Sequence, residues 1–176
     1  MRLRRKPWID EAIHDYDSHI ILSGQENYKG KWREAFSHPE RPLYMELGTG
    51  KGRFIAGMSE AHPDANFVGF EVQIGVIYYA AQKIFEAERD NAKVSLFDIA
   101  GIEEIVAPGE VDRFYINFCD PWPKAKHAKR RLTYYTFLDR YARLLKDNGE
   151  VHFKTDNEGL FMFSLEEFQN CGWELK

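Results

Sequence analysis

Cysteine is scarce in this chain and long apolar runs are missing. Cys119 and Cys171 are the only two cysteines in 176 residues. They make neither a metal-ligand spacing nor a disulfide framework, so a reducing, cytoplasmic setting is expected. No apolar stretch approaches the roughly 20 residues of a membrane-spanning helix, and the mean hydropathy of -0.53 fits a soluble globule. The segment from Met1 to Trp8 is basic but lacks an apolar h-region, so no secretory signal is expected. His14, His19, His38, His62, His127 and His152 fall at no ligand spacing, so no metal is expected. Neither sign of charge dominates. With a net charge of -4, affinity for nucleic acid has to come from how the cations are distributed. Repeats, low-complexity tracts and linkers are absent as well, which leaves one domain.

What is present alternates between strand and helix. Residues 1–40 read as an N-terminal extension outside the main sheet. It carries cations at Arg2, Arg4, Arg5 and Lys6, a weak helical period from Ile9 to Leu22, and a second small basic cluster at Tyr28–Arg33. Residues 41–176 read as the main domain. Strands are expected at 43–47, 65–71, 93–98, 112–118 and 150–154. Helices are expected at 53–61, 72–88, from Thr133 as cap to Asn148-Gly149, and 160–170. Such alternation calls for a mostly parallel sheet with helices on both faces.

The turn after the first expected strand is Gly48-Thr-Gly50-Lys-Gly52. A Walker loop fails here, because Met45 stands where its first glycine belongs and Gly52 where Ser or Thr is needed. The dinucleotide fingerprint fails too, since one residue rather than two precedes the third glycine. The tighter spacing, with Glu46 two residues ahead, is similar to the first motif of S-adenosylmethionine-dependent methyltransferases. That ligand carries a sulfonium and an amino group, so a nearby carboxylate is welcome, and Gly48 and Gly50 let it approach the main chain. Glu71 and Asp98 end the next two expected strands. From there acids can accept from ribose hydroxyls and from an adenine amino group, although each can also serve as an ordinary loop or cap carboxylate.

The stretch from Val111 to Thr133 is the most unusual. An apolar strand breaks at Asp120-Pro121-Trp122-Pro123, then Lys124, Lys126, Lys129, Arg130 and Arg131 follow with no acid among them. The two prolines fix their own φ angles and so aim Asp120 and Trp122. Cations there supply salt-dependent phosphate affinity, and Trp122 offers a face on which an unpaired base can stack.

N-F-C-D-P-W-P-K-x-K-H-x-K-R-R-L-T at 117–133 resembles the bacterial tRNA (guanine-N7-)-methyltransferase family. So do R-L-R-x-K-P-W at 2–8, Y-K-G-K-W at 28–32, M-E-L-G-T-G-K-G at 45–52, G-F-E-V-Q at 69–73 and H-F-K-T-D-N-x-G-L-F at 152–161. The resemblance implies a Rossmann-like α/β methyltransferase fold, S-adenosyl-L-methionine as cofactor, and tRNA guanine 46 in the variable loop as substrate. It implies cofactor contacts at Glu46, Glu71, Asp98 and Asp120, with Asp120 also the catalytic candidate. It further implies substrate contacts at Lys124 and Asp156 and RNA contacts at Lys126, His127, Lys129, Arg130 and Arg131. Family members occur as monomers and homodimers. The chain departs from the family at Cys119, where Ser is expected, and at Ala125, where Lys is common. It also stops at Lys176, so the family's final strand pair is expected to be missing or incomplete. Three other readings stand beside this one: a tRNA-binding protein of the same fold impaired in catalysis, a nucleotide-dependent oxidoreductase, and methylation through Cys119 as nucleophile.

Overall fold

A computed structural model describes residues 4–176. Arg2 of the N-terminal cation cluster, and with it the first two residues of the motif there, lie outside the described residues. Among those described, six strands form one sheet: β1 (Ile20–Ile21), β2 (Leu43–Leu47), β3 (Asn66–Glu71), β4 (Ala92–Leu96), β5 (Val111–Asn117) and β6 (Leu145–Lys154). Their order is β1-β4-β3-β2-β5-β6, and every pairing is parallel. The chain lays β3 and β4 to one side of β2, then crosses back to place β5 on the other. The order therefore reverses between β2 and β5, which is where open α/β sheets take their ligands.

Side-chain alternation divides the core in two. Leu43, Met45 and Leu47 of β2, Val68 and Phe70 of β3, and Phe114 and Ile116 of β5 join one apolar cluster. It is closed by α4 (Tyr135–Leu144), which contributes Phe137, Leu138, Tyr141 and Leu144, and by Phe168 of α5 (Glu158–Asn170). Phe67, Val94 and Tyr115 join the other cluster. It is covered by α1 (Ile9–Ala12), α2 (Arg53–Ala61) and α3 (Ile74–Glu86). Ile77, Ala80, Ala81 and Ile84 give α3 its buried stripe at helical spacing.

Residues 4–40 are part of this architecture, and the expectation that the extension stays outside the sheet is corrected. Ile20 and Ile21 pair with Val94 and Ser95 and add an edge strand. Trp32 is wholly buried in the first cluster, and its indole N–H donates to the Ile105 carbonyl at 2.7 Å. The carboxylate of Glu110 accepts from the backbone N–H groups of Gly30, Trp32 and Ala107 at 3.1, 3.0 and 2.7 Å. Those three bonds satisfy a buried acid and tie the segment to the domain.

Two local expectations also change. Thr133 is not a helix cap. Tyr134 holds that position, and the Thr133 hydroxyl instead meets Ser164 Oγ at 2.7 Å, because the residue is fully buried against α5. Asn148-Gly149 does not end the helix either. α4 stops at Leu144, and residues 146–149 form an irregularity in β6 before its regular ladder starts at Glu150 opposite Arg113.

Candidate active site at the carboxyl edge of the sheet

Glu46, the Gly48–Gly52 turn, Glu71 and Asp120 lie at or just past the carboxyl ends of β2, β3 and β5, whereas Asp98 and Asp156 lie two residues past β4 and β6. Gly48, Gly50 and Gly52 all adopt left-handed φ, at 85°, 59° and 82°. This conformation turns the chain from β2 into α2 at little steric cost only for glycine. The turn is fastened to the next strand, since the N–H groups of Gly48 and Thr49 both donate to the Phe70 carbonyl, at 3.0 and 2.8 Å. Around Gly48 and Gly50 the side where a Cβ would stand is open for at least 4 Å.

Glu46 lies beneath this turn and is 5% exposed. Thr49 Oγ1 donates to one of its oxygens at 2.6 Å and Asn117 Nδ2 to the other at 3.4 Å. Burial pushes its carboxyl up to about 7, with the neighbouring Glu71 adding to the effect and the two hydrogen bonds opposing it. No Lys, Arg or His forms an ion pair with it among the described residues. Gly69 makes room for the arrangement: it sits beside Glu46 in the ladder, and a Cβ there would lie 2.5 Å from Thr49 Oγ1.

Glu71 is half-buried at the end of β3 and accepts from Gly50 N at 3.3 Å. Burial raises its pKa, the N–H donors of Gln73, Gly50 and Val72 pull it back, and the charge of Asp120 raises it further. Glu71 thus stands between the other two acids, its charge felt by Glu46 and its own carboxyl feeling Asp120. Asp98 does not end a strand as expected: β4 stops at Leu96, and Asp98 lies exposed two residues beyond it, at the start of a 3-10 turn. Its Oδ1 accepts from Ala100 N at 2.9 Å and so caps the 3-10 turn Ile99–Glu104.

On the far side of the reversal, β5 ends at Asn117 and the backbone turns sharply. Phe118 and Trp122 take left-handed φ of 52° and 44°, unusual for bulky residues. Asp120 stands exposed between them. Phe118 N donates to the Lys154 carbonyl at 2.8 Å, so the ends of β5 and β6 lie side by side. Asp156 is exposed two residues beyond β6. Burial pushes the Cys119 thiol up to about 11, with the Asp120 charge adding to it. A thiol held protonated at neutral pH is a poor nucleophile, which removes support from the Cys119 reading.

The basic run does not behave as one unit. Lys124, Lys126 and Lys129 are exposed, and none of the three forms an ion pair among the described residues. His127 packs edge-on to Trp122, ring centroids 5.8 Å apart. The Arg130 guanidinium lies over the Trp122 ring at 4.9 Å, and Arg131 bonds to the Trp122 carbonyl. The roles of Thr49, Asn117 and Gly69 around Glu46 are not legible in the sequence. Alternation along β5 puts Asn117 on the face of Tyr115, opposite Glu46 in the ladder, but only once the register is known.

A family model described as "Putative methyltransferase" matches residues 40–172. The tRNA (guanine-N(7)-)-methyltransferase of Streptococcus agalactiae serotype III (strain NEM316) is 45% identical over 176 residues, covering 100% of this chain and 82% of that protein. The enzyme of the same name from Bacillus subtilis (strain 168) is 45% identical over 172 residues, covering 98% and 80%. Among solved structures, the antibiotic-resistance methyltransferase Kmr superposes with a TM-score of 0.53 at 19% identity, covering 77% of this chain and 79% of that one. That likeness shows the methyltransferase fold.

Proposed function

Because the chain belongs to the tRNA (guanine-N(7)-)-methyltransferase family, we propose that it methylates N7 of guanine 46 in the tRNA variable loop, using S-adenosyl-L-methionine. One observation carries the assignment of roles: Glu46, Glu71 and Asp120 converge on one edge where the strand order reverses. The donor set suits the cofactor. A buried carboxylate with no cationic side chain beside it favours a positively charged ligand, and the open side of the Gly48–Gly50 turn gives that ligand access to the main chain. Glu46 would face the cationic end, Glu71 the ribose hydroxyls, and Asp98 the adenine amino group through the oxygen that does not cap Ala100. When bound, the cofactor supplies an electrophilic methyl group on sulfonium.

Guanine N7 carries a lone pair and no proton, so the chain need not provide a strong base. Its residues have two tasks, positioning the acceptor and stabilising the positive charge that develops in the purine. An ionised Asp120 only accepts hydrogen bonds, and it would take guanine N1–H and N2–H together. That selects guanine and places a negative charge against the ring as it becomes cationic. Asp156 on the neighbouring strand end would share this work. Lys124, Lys126 and Lys129 would bind phosphates. No helix among the described residues is long and apolar enough to cross a membrane, and both cysteines are free; we read the compartment as cytoplasmic.

The test is transfer of a tritiated methyl group to bulk tRNA, with the modified nucleotide mapped. Label should reside in 7-methylguanosine at position 46. Label on another base or at another position, or no transfer, overturns the proposal.

A further inference from the structure

We propose that Arg131 is a positioning residue that holds the Asp120–Trp122 loop in register, rather than one of the phosphate contacts. The inference rests on the methyltransferase reading above and assigns this arginine a different task from its neighbours. Trp122 has a left-handed φ of 44°. A bulky residue keeps that conformation only where its surroundings impose it. Arg131 imposes it with two donors, Nε at 3.2 Å and Nη2 at 3.0 Å, both to the Trp122 carbonyl oxygen. The flat side of the same guanidinium lies 4.4 Å from the centroid of Phe163, a residue of α5. One half-buried cation thus fastens the loop that carries Asp120 to a core helix.

The backbone just beyond Arg131 is itself anchored. Tyr141 donates its hydroxyl to the Leu132 carbonyl at 2.9 Å. Thr133 meets Ser164 at 2.7 Å, and Tyr135 N donates to Glu167 Oε2 at 2.7 Å. The guanidinium therefore starts from a fixed point, and its reach determines where the Trp122 carbonyl sits. Asp120 is two residues away across Pro121, whose φ is fixed, so a displacement at Trp122 is passed on to the carboxylate. Lysine cannot replace this arginine, because one ammonium neither spans the fork nor lies flat on Phe163.

The test compares Arg131→Lys and Arg131→Ala with Lys126→Ala and the wild type, measuring both kcat and the salt dependence of tRNA binding. Arg131→Lys should lower kcat by about a hundredfold, the effect of misplacing a reacting group by roughly 1 Å. It should leave the slope of log K against log salt at the wild-type value. Lys126→Ala should reduce that slope by about 0.7–0.9, as expected for one lost phosphate contact. Ethylguanidine added to Arg131→Ala should restore part of the lost kcat, which a general loss of folding would not permit. A wild-type kcat in Arg131→Lys, or a slope reduced as in Lys126→Ala, overturns the inference while leaving the methyltransferase reading intact. A wild type that transfers no methyl group to tRNA overturns the reading itself.

Discussion

Replacing Glu46 by glutamine removes a charge that the apo protein holds at a cost. The folded carboxyl is raised from its ordinary 4.5 to about 7. The folded state therefore retains a proton that the unfolded chain has released, and stability falls as pH rises through that window. At about 1.4 kcal/mol per pH unit, the full penalty above the folded value is ~3 kcal/mol. Glutamine has no charge to bury and still offers an oxygen to one of its two donors, Thr49 and Asn117. Losing the other bond costs about 1 kcal/mol. Glu46→Gln should therefore unfold later than the wild type at about pH 8, by ~2 kcal/mol. At about pH 5 the gain should vanish or reverse. The change in the gap between the two pH values, ~2–3 kcal/mol, corresponds to roughly 4–12 °C in Tm for a chain of this size. Thermal unfolding of both proteins without ligand, across that pH range, measures it. Cofactor affinity should fall in the same variant, because the buried negative charge is what favours a cationic ligand. A gap in Tm that does not change with pH would refute the reasoning.

Asp120→Asn should abolish most methyl transfer while cofactor binding, measured by calorimetry, falls far less; full turnover by Asp120→Ala would contradict its role. Cys119→Ser should keep methyl transfer within a few-fold of wild type, because burial and the Asp120 charge hold the thiol protonated; loss of activity would reinstate the nucleophile. Gly69→Ala should destabilise the protein by about 1–3 kcal/mol and weaken cofactor binding, since its methyl group would stand 2.7 Å from Thr49 Cβ; chemical denaturation and calorimetry report the two effects.

Where local pattern and burial agree, the fold is legible in the sequence. Leu43–Leu47 is a short apolar run leading into a glycine turn, and it is a strand to the residue. The α3 stripe and the α4 face follow from helical spacing. β1 is not legible, because two isoleucines make no pattern by themselves and become a strand only through pairing with the edge of β4. The end of α4 is not legible, because Asn148 and Gly149 suit a helix terminus as well as they suit the irregularity in β6 where they lie. At the site, Glu46, Glu71 and Asp120 stand out as acids at strand ends. The Thr49 and Asn117 donors do not, since their pairing with Glu46 depends on strand register. The cations of 124–131 look alike in sequence and separate only in three dimensions, where Arg131 is taken up by a backbone carbonyl nine residues earlier.

The Glu110 clasp on Gly30 and Trp32 also has a consequence for the order of events on the ribosome. Its two halves are 78 residues apart for Trp32. At about 5–20 residues per second, Trp32 is translated roughly 4–16 s before its carboxylate partner. For most of that interval Trp32 has neither the carboxylate for its backbone N–H nor the Ile105 carbonyl for its indole N–H. The segment around Trp32 is thus a candidate for chaperone capture as it emerges, and it can lock only after Glu110 has been made.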